Sequence, residues 1–248
     1  MKENDKKSNI VKCDENGIPQ YSAKDIENKA EEFIKFFDKT VLNAPTATPF
    51  EMIAEKLEQD YNIKISFEAY LGKADDGTSE ILGKFVFNPM SIYVSVSLKK
   101  EQNRFNFTFA HEIGHLVLHR NLTIKGYSNG ISDTKHDFVT GKKILVSPYD
   151  WIEWQANKFA SCLLLPRETT LKAVVEKQLE IGINKRIGFI YLDKQSCNLR
   201  DFLLILDHLQ SIFQASKSTI EYRLNNLGIL IDKRGQDTKH ISELLRSE

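Results

Sequence analysis

Residues 104–120, RFNFTFAHEIGHLVLHR, place the strongest constraint on what this chain can fold into. The segment is dense in Phe, Leu, Ile and Val, yet its middle carries His111, Glu112 and His115. A helix that is apolar around most of its circumference is a buried helix, so these three polar residues are buried with it. Buried polar and charged groups require hydrogen bonds or a metal ion. Residues i and i+4 of an α-helix lie on nearly one face, separated by roughly 6 Å of rise. His111 and His115 can therefore aim imidazole nitrogens at a single ion. Glu112 completes H-E-x-x-H, the pattern in which the glutamate is a general base beside a zinc ion. In that chemistry zinc polarises a water and a carbonyl, and the glutamate carries the proton to the leaving amine. Gly114 sits mid-helix, where glycine costs about 1 kcal/mol relative to alanine; such a position implies that another group approaches closely.

Catalytic zinc takes three protein ligands and keeps a fourth position open. His119 cannot share an ion with both other histidines, because ~12 Å of helix rise separates it from His111. It is expected as a supporting or packing residue. The remaining candidates for the third ligand are His136 and Asp137 in the following loop and Asp150 and Glu153 beyond it. Glu153 is attractive because its helix face also carries Asn157; the alternative is a solvated surface carboxylate. His119, Tyr149 and Tyr191 are candidate donors to an oxyanion.

Lys+Arg and Asp+Glu both count 34 in 248 residues, so no net charge draws the chain to nucleic acid or to an anionic membrane. Three widely spaced cysteines form neither a disulfide framework nor a C-x-x-C metal pair. The polar amino terminus has no signal-like apolar stretch, and no apolar run approaches the length of a membrane span. A cytoplasmic setting without membrane association is the expectation.

Residues 1–20 read as a flexible arm, 21–200 as the main domain and 201–248 as a helical subdomain with a tail. Helices are predicted over 22–41 and from Thr48, with Thr48 as N-cap and Pro49 at the first helical position. Alternation predicts strands at 62–70, 80–87 and 91–97, the last two forming a hairpin around Asn88-Pro89. The strand at 91–97 is either an edge that accepts an extended substrate or an interior strand. Residues 121–147 read as a long connection. Ser147, Pro148 and Asp150 open a helix that stops at Pro166. Residues 167–200 resist assignment. Residues 201–230 read as two helices joined by a short turn, with Ser216 capping the second and Gly228 ending it.

The block RFNFTFAHEIGHLVLH, the block EWQANKFASCLLLP and, more weakly, IFQASKSTIEYRLNNLGIL resemble the ImmA/IrrE family of bacterial metallopeptidases. The resemblance implies an α+β, zincin-like fold: a small, mostly antiparallel sheet with helices, followed by a helix-turn-helix-like segment. It implies zinc as cofactor, held by His111, His115 and Glu153, with Glu112 as general base. Many members carry glutamate where this chain has Gln155. The family is associated with regulated cleavage of helix-turn-helix repressors of mobile elements and stress responses, which implies a repressor as protein substrate. The alternative is a DNA-binding or protein-sensing regulator whose zinc is structural or vestigial, with Lys217, Ser218 and Arg223 facing DNA.

Overall fold

The computed structural model describes residues 13, 17–74, 77–122, 130–134 and 147–234. Helix α1 (Ala23–Asp38) opens with a capping box between Ser22 and Asp25 and buries Ile26, Ala30, Ile34 and Phe37, the face its periodicity predicts. Helix α2 (Phe50–Tyr61) follows, but Thr48 does not cap it. The Thr48 hydroxyl instead donates to the Leu163 carbonyl at 2.8 Å, a buried tie to a later helix.

Strands β1 (Lys64–Ala69), β2 (Ile81–Val86), β3 (Ser91–Ser95) and β4 (Ile131–Thr134) form one sheet in the order β1-β3-β2-β4. β3 runs parallel to β1 and antiparallel to β2, and β4 is antiparallel to β2. The predicted hairpin is present, but β3 is interior, so it offers no free edge to a substrate. Residues 96 and 97, expected to continue it, instead open a short 3-10 helix, Val96–Lys100.

Helix α3 (Gln102–His119) lies on β2 and β3 and packs on its other side against α4 (Pro148–Leu164), which in turn covers α1. The main core runs through these layers: Phe85, Ile92 and Val94 from the sheet, Phe109 and Ile113 from α3, Phe159 and Leu163 from α4. Helix α5 (Arg167–Glu180) and strand β5 (Ile190–Leu192) occupy the stretch that resisted assignment. Helices α6 (Ser196–Phe213) and α7 (Lys217–Asn226) are the expected pair; Ser216 caps α7, and Gly228 beyond it takes φ 72°. Strand β6 (Leu230–Asp232) pairs in parallel with β5. The fold is thus α+β, with a small mixed sheet in which two of the three pairings are antiparallel. No helix among the described residues is long and apolar enough to cross a membrane.

At the amino terminus, residues 1–12 and 14–16 lie outside the described residues, whereas Ile18 is fully buried. It joins Ile131 of β4 and Ile152 of α4 in a small separate apolar cluster.

Candidate metal centre

Where α3 crosses α4, neither helix can carry bulk. A Cβ on Gly114 would lie 3.2 Å from both the Cα and the carbonyl oxygen of Ala156. That close approach explains the mid-helix glycine, and it brings the face of α4 bearing Glu153 and Asn157 over the two histidines. Ser147 and Asp150 form a capping box that fixes the start of α4, so the Asp150 carboxylate is spent on the helix terminus.

Both histidines turn Nε2 inward. These nitrogens lie 2.9 Å apart, with Glu153 Oε2 3.2 Å from that of His111 and Glu153 Oε1 3.6 Å from that of His115. A fourth residue converges on the same point. Asp133 of β4 places Oδ2 3.3 Å from His111 Nε2 and 3.6 Å from His115 Nε2. One ligand atom from each of His111, His115, Asp133 and Glu153 falls within 4.8 Å of all the others. Tetrahedral coordination with bonds of ~2.0–2.1 Å separates neighbouring ligand atoms by about 3.3 Å, the spacing that most of these pairs show.

The outer ring nitrogens are also engaged. His111 Nδ1 is 3.0 Å from Asn157 Oδ1, so it donates there and leaves Nε2 as the nitrogen that faces inward. His115 Nδ1 faces His119 Nδ1 at 3.0 Å, and His119 Nε2 lies 3.3 Å from Gln155 Oε1. The Gln155 amide then donates to the Pro19 carbonyl at 2.8 Å. One set of neutral tautomers satisfies the whole chain: His115 donates to His119, and His119 donates to Gln155. His119 is thus the orienting group behind His115. A glutamate at 155 could accept from His119 but could not donate to Pro19. The glutamine therefore belongs to this relay, and its position places it away from the donor cluster.

Burial and charge act strongly here. Burial disfavours a charged His111, but Asp133 and Glu153 outweigh it and lift its pKa to about 10. Burial and then Asp133 push Glu153 well above the usual carboxylate range, and the same causes raise Glu112. Burial pulls His115 and His119 down, keeping both neutral. Asp133 is held well below its ordinary range, because His111 and His115 outweigh its burial. None of the carboxylate oxygens of Glu112, Asp133 or Glu153 has a hydrogen-bond partner among the described residues. The Asp133 and Glu153 carboxylates and two inward-facing imidazole nitrogens form a set that a divalent cation satisfies and that an apolar core does not. The donor types, two imidazoles and carboxylate oxygen, suit zinc.

Protons and cation compete for these donors. At neutral pH the His111 imidazole holds a proton that a cation must displace, so affinity falls as pH drops and rises as pH climbs toward about 10. Calorimetry of zinc binding at pH 7 in buffers of different ionisation enthalpy is expected to show proton release. A release of zero contradicts this protonation pattern.

Glu112 stands beside the donor set and outside it. Its neighbour across the sheet is Gly83 of β2, where a Cβ would lie 1.9 Å from Glu112 Oε1 and 2.9 Å from Thr108 Cγ2. Glycine at 83 is what lets β2 pass over the carboxylate.

The structure thus brings His111, His115 and Glu153 together, with Glu112 adjacent. His136 and Asp137 lie outside the described residues. Sequence reasoning missed Asp133, whose only signal was Ile131 two positions earlier on a four-residue strand. The Tyr149 hydroxyl donates to the Ser132 carbonyl of β4 at 3.3 Å, and Tyr191 lies on β5 in the second sheet. His119 is committed behind His115. Arg223, which the DNA-binding alternative would turn toward DNA, is buried instead: its Nε donates to the Leu165 carbonyl at 2.8 Å and its Nη2 pairs with Glu27. The close approach of α7 to α4 turns that side chain into a tie between helices.

No curated protein matches the chain. A family model does: that of the IrrE N-terminal-like domain, Peptidase_M78, over residues 58–225. The match spans strands, α3, α4 and the helix pair, and takes in all four converging residues. This chain therefore belongs to the IrrE N-terminal-like family of metallopeptidases.

Proposed function

We propose that the chain is a zinc-dependent endopeptidase that makes a site-specific cut in a regulatory protein, a helix-turn-helix repressor of a mobile element or stress response. The observation that carries the peptidase reading is the Glu112 carboxylate, buried and without a hydrogen-bond partner beside the imidazole and carboxylate donors. His111, His115 and Glu153 would hold the ion. Bound zinc supplies Lewis acidity, polarising the scissile carbonyl and making water a stronger acid. Glu112 accepts the proton of the attacking water and delivers it to the leaving amine nitrogen as the peptide bond breaks. Burial and the charge of Asp133 raise its pKa above the usual carboxylate range, which strengthens it as a base toward that water. Thr108 is one turn ahead of Glu112 on the same helix face. It borders a cavity of about 560 Å³, lined also by Phe107, Arg104 and Ser216, where a substrate side chain has room.

The repressor as substrate rests on the family resemblance. Zinc-loaded protein incubated with a small helix-turn-helix repressor is expected to yield two discrete fragments by mass spectrometry, and chelation is expected to stop the reaction. Zinc-bound protein that leaves such repressors intact overturns the reading. Gly83→Ala tests the positioning of Glu112. The added methyl must displace the carboxylate, and a misplacement of about 1 Å can cost ~10²-fold. The loss is expected in kcat rather than KM, with zinc content unchanged; equal kcat contradicts it.

One observation favours a second reading. Structural zinc sites are closed by four protein ligands, and Asp133 supplies a fourth donor here. A protein-sensing regulator with structural zinc would have such a site. Its DNA-binding form loses Arg223 to the interior, and Lys217 pairs with Asp207.

A further inference from the structure

We infer that β4 is a built-in substrate mimic: it occupies the edge of β2 beside Glu112 and sets Asp133 in the coordination position that a peptidase must keep open. The inference rests on the metallopeptidase reading and assigns a regulatory state to that same site.

Three observations converge. First, the strand that passes over Glu112 is β2, through Gly83. An extended substrate lying across the site would pair with that strand, as added strands do at a sheet edge. β4 is already paired there in antiparallel register, with Asp133 directly opposite Gly83 and Ile131 opposite Phe85.

Second, the side chain that this register aims inward is a ligand. Asp133 Oδ2 is about as far from the two histidine nitrogens as the Glu153 oxygens are. Asp133 and Glu153 therefore stand as equivalent donors, which makes four where catalysis needs three. Asp133 is also the charged group that acts most strongly on Glu112, so its carboxylate stands beside the general base as well as beside the two histidines.

Third, β4 is seated by specific features. Ile131 is buried with Ile18 and Ile152, and the Tyr149 hydroxyl holds the Ser132 carbonyl. Gly130, just before the strand, takes φ 137°, and a Cβ there would lie 2.3 Å from the Phe85 carbonyl oxygen. Any other residue at 130 pushes β4 off β2. Opening the site requires Asp133 to withdraw, and a substrate strand that pairs with β2 takes its place.

The test uses cobalt(II)-substituted protein titrated with acetohydroxamate, a small bidentate ligand that needs an open coordination position, followed by visible absorption. Wild type, Asp133→Ala and Gly130→Ala are compared, and repressor cleavage is read in parallel. If the open form is a minor state of 0.1–10%, the wild-type affinity is reduced by that fraction, so both variants are expected to bind acetohydroxamate about 10-fold more tightly or better. Gly130→Ala keeps Asp133 and carries the test even where Asp133→Ala misfolds. Equal acetohydroxamate affinity in all three proteins overturns the inference, and cleavage by wild type would then leave the peptidase reading standing. Tighter binding by the variants with no cleavage by any protein supports the closed site and overturns the peptidase reading instead.

Discussion

Glu112→Gln is expected to lower repressor cleavage by about 10²–10⁴-fold, the range that a general acid–base group contributes, while zinc stays bound. The substitution is nearly isosteric and removes only the capacity to take up a proton. Glu112 is fully buried, and its oxygens make no hydrogen bond that the amide would break. It stands outside the converging donor set, so zinc stoichiometry is expected to remain that of the wild type. Thermal stability is expected to be equal or higher, because a neutral amide carries no burial penalty for a charge and no longer faces the charge of Asp133. The outcome is diagnostic because three measurements must move differently: cleavage falls sharply, zinc content holds, and melting temperature does not drop. Cleavage at the wild-type rate removes Glu112 from the reaction. Loss of zinc would show that the carboxylate is a ligand.

The helices that build the site were legible because their signals are local. Ser147, Pro148 and Asp150 announce the start of α4, and the capping box forms as expected. The spacing of Ile26, Ala30, Ile34 and Phe37 gives the buried face of α1. Even Gly114 pointed to a close neighbour, though only the fold identifies it as Ala156. The failures are physical in origin. α5 hides because its buried face includes Thr169, Thr170 and Gln178, which dilute the apolar period. β4 has a single buried apolar residue, and its stability comes from pairing with β2 and from Ile18 and Ile152, all distant in sequence. Asp133 was invisible for the same reason: a carboxylate on a short polar strand becomes a donor only when strand register carries it to the histidines. Thr48 has the look of a cap, yet a buried carbonyl from α4 competes for its hydroxyl and wins. A residue's local role can be read from sequence when its partner lies within about one turn. When the partner comes from another element, the same letters support the wrong role.

Arg223→Ala is expected to destabilise the protein by roughly 3–5 kcal/mol, the cost of breaking a buried ion pair on one side, and so to define what the α6–α7 segment is for. The guanidinium is 1% exposed and ties three elements together. Nε donates to the Leu165 carbonyl at the end of α4, Nη1 lies 3.2 Å from Cys162 Sγ, and Nη2 pairs with Glu27 of α1. Truncation removes that carbonyl's guanidinium donor and leaves Glu27 paired, among the described residues, with Arg167 at 3.0 Å. Lys217→Ala provides the contrast from the same helix. Its exposed pair with Asp207 is worth about 0–1 kcal/mol. The pH dependence supplies a second signature. Burial raises the Glu27 pKa, but Arg223 and then Arg167 outweigh it and hold the group below its ordinary value of 4.5. A depressed carboxylate stabilises the fold above its unfolded pKa, and that contribution disappears as pH falls through the folded one. Wild type should therefore lose stability on acidification below about pH 4.5, and Arg223→Ala should show a shallower acid limb in urea melts. A variant with wild-type stability and an unchanged acid limb would free Arg223 from this structural role and restore a surface function for the helix pair. A large loss makes the pair a brace behind α4, holding the helix that carries Glu153 and Asn157 against the two histidines.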